Sequence, residues 1–244
     1  MGTITAETIS YKAGDTTLRG YLAVDPALPG RRPAILVVHE FWGLDDYIRG
    51  RARQLAELGY LALAVDMYGE GRGATDPGGA SALMMAVLQD MKTGEQRFTA
   101  ALDLLRGRTD VDLGRIAAIG YCFGGAMVLH QARIGTPLAA VVSFHGSLGS
   151  FHQPQPGEVK ARVLVCHGGA DSLIPDSDVD AFEAEMKAAR ADYRLETYPG
   201  VQHSFSNPEA SEVGAKFGLP VAYDAGADAR SWASMQALLK DVFA

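Results

Sequence analysis

The chain has 244 residues, 48% of them hydrophobic and 21% charged, so one large α/β domain or two small ones can each close a core. With 22 basic against 29 acidic side chains the formal charge is −7, which argues against nucleic-acid binding through a basic face and against a polybasic membrane anchor. Two cysteines exclude a disulfide framework of several bridges and a four-cysteine zinc module.

Two alternating segments, 7–12 and 17–24, flank a Gly14-Asp15 turn signal and predict a half-exposed antiparallel hairpin at a sheet edge. The run PAILVVHE at 33–40 is continuously apolar up to its polar end, the pattern of a strand covered on both faces. A helix over 45–58 follows, with Ile48, Leu55 and Leu58 on one face and Gly59 as its stop. LALAVD at 61–66 is a second buried strand, and the Gly-rich stretch 69–79 reads as a loop. Helical pattern then runs over 80–106 with a break expected near Thr93-Gly94. Downstream, strands at 115–121, 138–146, 162–169 and 193–200 alternate with helices at 124–133, 179–190 and 228–242.

Strands that alternate with helices imply right-handed crossovers and a mostly parallel sheet, with ligands outside the carboxyl ends of the strands. No linker and no internal repeat interrupts the pattern, and the stretch between 146 and 162 is too short to hold an inserted cap. The expectation is one domain over 1–244. Residues 1–11 lack the basic and apolar regions of a signal peptide, and no apolar run reaches the roughly 18 residues of a spanning helix. A soluble cytoplasmic protein with reduced thiols, and with neither nucleic-acid nor membrane partners, is therefore expected.

Chemistry concentrates at Gly120-Tyr121-Cys122-Phe123-Gly124-Gly125, between an apolar strand and a helix. This is the G-x-nucleophile-x-G elbow with Cys in the place of Ser. The flanking glycines suit a turn in which the backbone approaches itself, and the helix that follows aims its N–H groups and positive dipole end at the thiol. The alternative for Cys122 is a small buried hydrophobe at a tight crossing. Such a nucleophile needs an acid and a histidine in the order nucleophile, acid, His. Asp171 lies in the loop after one buried strand and His203 just after the last strand, each at a strand's C-terminal end. Singly, each has a bland reading, as a turn residue or a solvated histidine. Together and in order they specify a Cys122–His203–Asp171 triad.

GYCFGG, HGGADSLIP and GVQHSF, with VVHEFWGLDDYIR and GYLALAVDMYG upstream, resemble the dienelactone hydrolase (carboxymethylenebutenolidase) family of α/β-hydrolases over nearly the whole chain. The resemblance implies an α/β-hydrolase fold: a mostly parallel twisted sheet with an N-terminal antiparallel hairpin, helices on both faces and no cap domain. It also implies a hydrolase of lactones or activated esters that works through an acyl-enzyme without metal or organic cofactor. By the same resemblance Glu40 contacts the resting thiol and controls when the thiolate forms. From the residues alone, Glu40 ends a buried strand, where a carboxylate is costly unless paired, and the alternative is a helix cap or a bridge to Arg49 or Arg53. The amides of Phe41 and Phe123, each one residue past a turn, are the expected oxyanion donors.

Two departures bear on substrate. Dienelactone-cleaving members carry an Arg four residues past the catalytic His, where this chain has Asn207, and another Arg in a helix that here, over 80–90, has no basic residue. A more neutral ester or lactone is therefore expected, which Leu83, Met84 and Val87 would suit; at helical spacing the alternative for these three is core packing. Trp42, Tyr68 and His145 follow strand ends and are candidate pocket walls, with a structural role the alternative for His145. His39 and His167 read as hydrogen-bonded core or loop histidines, and Cys166 as inert packing. Oligomeric state has no sequence signature here. The competing functions are a thioesterase or acyltransferase on the same scaffold and a non-enzymatic thiol sensor or ligand-binding relative.

Overall fold

A computed structural model describes residues 3–244. Eight strands order as β1-β2-β4-β3-β5-β6-β7-β8 in one sheet, and the elements are β1 (Thr5–Ala13), β2 (Thr16–Val24), β3 (Arg32–Val38), α1 (Asp46–Glu57), β4 (Leu61–Val65), α2 (Pro77–Leu88), α3 (Met91–Arg106) and β5 (Val111–Tyr121), then α4 (Phe123–Arg133), β6 (Ala140–Phe144), β7 (Arg162–Gly168), α5 (Asp176–Ala188), β8 (Tyr193–Tyr198), α6 (Ala210–Phe217) and α7 (Ala225–Val242). The chain divides into two compact units, one up to Ala118 and one from Ile119 onward.

In the first unit β1 and β2 form the expected hairpin, registered from Thr5 opposite Val24 to Ala13 opposite Thr16, with Gly14 at φ 56 in the turn. β1 is an edge strand with an alternating exposed and half-buried pattern, whereas β2 also pairs antiparallel with β4. β3 and β4 pair in parallel, and Ala34 to Val38 and Leu61 to Val65 are all fully buried. Each such Val, Leu or Ile contributes about 1.5–3 kcal/mol relative to exposure. Helix α1 starts where Asp45 accepts from the Ile48 N–H at 3.1 Å and ends before Gly59 at φ 92.

The helical stretch after β4 differs from expectation. It begins earlier, because the Asp76 carboxylate caps it by accepting from the Gly79 N–H at 3.0 Å and Pro77, whose missing N–H costs nothing at a helix start, takes the first position. It breaks at Gln89-Asp90 rather than at Thr93-Gly94, because the Asp90 carboxylate caps α3 through the Thr93 N–H and hydroxyl. Gly94 is no breaker; it is a buried position inside α3.

In the second unit β6, β7 and β8 pair in parallel, from Ala140 opposite Arg162 and from Val163 opposite Tyr193. Every residue of α4 is buried. Its last residue, Arg133, is 1% exposed at the side chain and pairs with Glu185 of α5 at 2.8 Å, while donating to the carbonyls of Leu148 and Gly149. Helix α6 was not expected from the sequence, and α7 starts earlier than expected because Asp224 caps it through the Ala227 N–H at 2.7 Å. Among the described residues no helix is long and apolar enough to cross a membrane.

Candidate active site

The turn after β5 is built by close packing. A Cβ on Gly120 would lie 2.1 Å from the Gly124 carbonyl oxygen, and one on Gly125 would lie 2.6 Å from Ser143 Oγ and 2.7 Å from Gly146 Cα. Only hydrogen fits at either position, so the start of α4 presses directly on the end of β6. Cys122 sits at the apex with φ 52 and ψ −115, a backbone conformation that costs a side-chain-bearing residue ~1–3 kcal/mol. Its N–H donates to the Phe144 carbonyl at 3.0 Å and to His145 Nδ1 at 3.2 Å, and its carbonyl accepts from Ala126. Cys122 is partly exposed, whereas Cys166 is fully buried. Phe123 opens α4, the place where an α-helix offers N–H groups outward.

Asp171 follows β7 in a turn closed by its own N–H to the Gly168 carbonyl, and its Oδ1 accepts from the Leu173 N–H at 3.0 Å. Its Oδ2 lies 2.7 Å from His203 Nδ1, with side chains 0% and 5% exposed. A carboxylate can only accept here, so Nδ1 carries a proton in either charge state and Nε2 is the nitrogen at which the ring gains or loses its second one. Nε2 is buried with no nitrogen or oxygen partner. Burial disfavours the imidazolium, but the negative charge of Cys122, the hydrogen bond to Asp171 and a contact with the thiol outweigh it and push the His203 pKa up to about 10. The structure thus brings Cys122, Asp171 and His203 together within the second unit. His203 is anchored by backbone pairing with Val221 and by accepting from the Ala222 N–H.

His145 follows β6 directly, in a left-handed conformation, φ 42, and is fully buried. Ser206, which the sequence did not single out, is its partner: Oγ lies 2.7 Å from His145 Nε2. Its only sequence signal is its place three residues past His203 in HSFS. Asn207 is 5% exposed and its Oδ1 accepts from the Glu209 N–H, so this side chain serves the turn into α6. His167 departs from the expected hydrogen-bonded role. Its Nδ1 has no partner, burial lowers its pKa, and with Asp171, Ser172 and Asp176 it lines a cavity of about 320 Å³. Cys166 matches its expectation, since burial pushes the thiol up to about 12.

The remaining candidates lie in the first unit. Glu40 is 1% exposed, just past β3. It does not cap α1, a task taken by Asp45, and Arg49 pairs with Asp46 instead. His39 is a core histidine, its Nδ1 bonding the Glu40 carbonyl and its Nε2 accepting from the Met67 N–H, with burial lowering its pKa to about 4. Tyr68 donates to the Phe41 carbonyl at 2.9 Å and meets the His39 ring edge-on, and Phe41 packs against Trp42. The loop after β4 is pinned by the buried Asp66, which accepts from the N–H groups of Arg19, Tyr68, Gly69 and Gly71.

A strand–elbow–helix turn carrying a thiol, with an acid and a histidine after later strands, can be set against known proteins. The family model for the dienelactone hydrolase family matches residues 18–243. The chain belongs to the dienelactone hydrolase family. Family membership makes it an ester and lactone hydrolase with an α/β-hydrolase fold. A solved dienelactone hydrolase-like promiscuous phosphotriesterase from metagenomic libraries is 37% identical and superposes with a TM-score of 0.89, covering 99% of each chain. A second structure, named m3DLH, is 38% identical with a TM-score of 0.93 over 100% of each chain. A Salmonella typhimurium protein provisionally named carboxymethylenebutenolidase is 29% identical over 231 residues, which span 89% of this chain and 85% of that one.

Proposed function

We propose that this dienelactone hydrolase family member is a cysteine hydrolase of lactones and activated carboxylic esters, with Cys122 as nucleophile, His203 as acid and base, and Asp171 as its orienter. His203 Nε2 takes the Cys122 thiol proton, Sγ adds as the thiolate to the carbonyl carbon, and the displaced electron pair moves onto the carbonyl oxygen, which the Phe123 amide stabilises. The tetrahedral species collapses with cleavage of the acyl–oxygen bond, and the imidazolium of His203 gives its proton to the leaving oxygen. In a lactone the resulting hydroxyl stays attached to the acyl group, so no fragment departs. Water, deprotonated by His203 Nε2, then adds to the thioester carbon, the C–S bond breaks, and the proton held on His203 returns to Sγ to restore the thiol. On the family resemblance alone, the proposal gives Glu40 control of the resting thiol and the Phe41 amide a share of the oxyanion.

The observation that carries this reading is the buried 2.7 Å contact between His203 and Asp171, which leaves Nε2 without an oxygen or nitrogen partner while Cys122 raises the ring's pKa. Substrate preference rests on Asn207 and on the lack of any basic residue over 80–90, where Leu83 and Met84 are half-buried. Neutral aryl esters and enol lactones are thus favoured over a substrate with a free carboxylate.

The test is a panel of aryl esters, enol lactones, dienelactone and an aryl phosphotriester, the last because one relative at 37% identity is named a phosphotriesterase. Wild type and Cys122→Ala are compared, with mass spectrometry of the quenched enzyme. An acyl adduct on Cys122 and loss of turnover in the variant are expected. Full turnover by Cys122→Ala overturns the mechanism, and efficient dienelactone cleavage overturns the substrate preference. Added thiols or alcohols intercepting the adduct faster than water would make the protein an acyltransferase.

A further inference from the structure

Three non-glycine residues of the second unit hold left-handed backbone conformations at or next to the reactive groups: Cys122 at φ 52, His145 at φ 42 and Ser204 at φ 57. One belongs to the elbow, one directly follows β6, and one lies in the loop that carries His203. A single imidazole links these segments. His145 Nδ1 receives the Cys122 backbone N–H at 3.2 Å, and its Nε2 lies 2.7 Å from Ser206 Oγ, across 23 and 61 residues of sequence. The backbone N–H of His145 donates to the Cys166 carbonyl at 2.8 Å, which fixes the ring's origin on β7. Its ring also meets His203 and Phe205 edge-on, with centroids 5.2 and 5.1 Å apart.

This geometry decides the tautomer. A backbone N–H can only donate, so Nδ1 of His145 is unprotonated and the ring proton sits on Nε2, where the Ser206 hydroxyl oxygen accepts it. Both nitrogens are thereby committed to holding backbone segments, and neither is disposed to exchange a proton with substrate. The ring is also wholly buried.

We propose that His145 is a positioning residue, which sets the backbone of Cys122 relative to the loop of His203 by accepting from the Cys122 N–H while donating to Ser206. The proposal rests on the reading of Cys122 as nucleophile. The Cys122 N–H shares its proton with the Phe144 carbonyl at 3.0 Å, so losing the imidazole leaves that N–H one acceptor. The elbow then survives but gains freedom in the angle at which Sγ is presented. A small misplacement of a nucleophile lowers the attack rate much more than it lowers binding.

The experiment compares wild type, His145→Leu, His145→Asn and Ser206→Ala on an aryl ester that wild type turns over, with melting temperature measured in parallel. Iodoacetamide alkylation of Cys122 is a readout independent of hydrolysis. Asn offers Oδ1 where Nδ1 stands and so restores the acceptor for Cys122, but it cannot reach Ser206. We expect His145→Leu to lower kcat on the order of 10–100-fold with KM within about threefold. The acylation burst should slow in the same proportion. His145→Asn should recover most of that loss, and Ser206→Ala should fall between. Equal losses in the Leu and Asn variants that track melting temperature would reduce His145 to packing and overturn the proposal. A rise in KM with kcat unchanged would do so too, making it a pocket wall. If His145→Leu does not fold, the Asn and Ser206→Ala variants decide: alkylation rates and kcat at wild-type values in both would sink the idea. Should Cys122→Ala keep full turnover, the nucleophile assignment fails, whereas the alkylation rates still report on the link itself.

Discussion

The elbow and the histidine loop each fix one side chain of the proposed triad, and they do so by opposite means. Around Cys122 the backbone is held by contact: Gly120, Gly125 and Gly146 each stand where a Cβ would meet another atom at 2.1 to 2.6 Å. Around His203 it is held by hydrogen bonds: Asp171 to the imidazole, Val221 and Ala222 to the backbone, and Ser206 to His145. A region fixed by packing tolerates changes of polarity but not of volume. One fixed by hydrogen bonds tolerates modest changes of volume but not the loss or reversal of a donor.

The largest effect should come from reversing a donor in the loop while keeping its shape. Asp171→Asn is isosteric, but its amide can donate to His203 Nδ1, which shifts the ring proton to Nε2 and removes the base. Turnover should fall on the order of 10⁴-fold with the melting temperature nearly unchanged. Retention of a tenth of the activity would show that Asp171 only helps to hold the ring. The matching volume change in the elbow is Gly120→Ala. Its methyl would meet the Gly124 carbonyl, a backbone atom of the adjoining turn, so soluble folded protein should be lost or destabilised by more than ~4 kcal/mol. Near-native stability in urea titration would show that the elbow can relax, and the contrast between the two regions would fail.

A third prediction concerns charge. The folded-state pKa of His203 is raised, to about 10 from an ordinary 6.5. Between those values the folded protein holds a proton that the unfolded chain releases. The stabilisation is therefore full below pH 6.5 and is lost as pH climbs toward 10. In Cys122→Ala the negative charge that favours the imidazolium is gone. The urea midpoint should then decline less steeply over this window, and the His203 imidazole should titrate lower by NMR. Parallel slopes in the two proteins would assign the shift to Asp171 alone.

How much of this could be read without coordinates follows the same division. The elbow was legible because close packing dictates glycine at fixed spacings, and Asp171 and His203 were legible because strand ends set where they fall. Packing by glycine can also mislead. Gly94 looks like a helix breaker, yet it is a buried helical position, and the actual boundary is written in the Asp90 cap four residues earlier. Helix α6 was missed because its eight residues include Gly214, which lies against the Val221 carbonyl, so its pattern resembles a loop. The link from Cys122 through His145 to Ser206 was not legible, since it depends on which ring nitrogen faces which segment. That orientation follows from the end of β6 and not from any local spacing.

The smallest effect separates the turn into α6 from the chemistry beside it. Asn207 stands where a carboxylate-binding Arg is found in dienelactone-cleaving relatives, yet its Oδ1 is spent on the Glu209 N–H at 3.0 Å. Asn207→Ala removes that acceptor and should cost at least about 1 kcal/mol of stability, the ordinary value of a turn-closing hydrogen bond. Neither kcat nor KM for a neutral aryl ester should move by more than about twofold, since about 1 kcal/mol spent on folding leaves the populated native state intact. A larger rise in KM would place the Asn207 amide on the substrate, and the histidine loop would then carry specificity as well as geometry. With KM unchanged, the loop's hydrogen bonds divide: those of His203 and Ser206 serve the proposed triad, and the one from the Glu209 N–H to Asn207 serves the entry to α6.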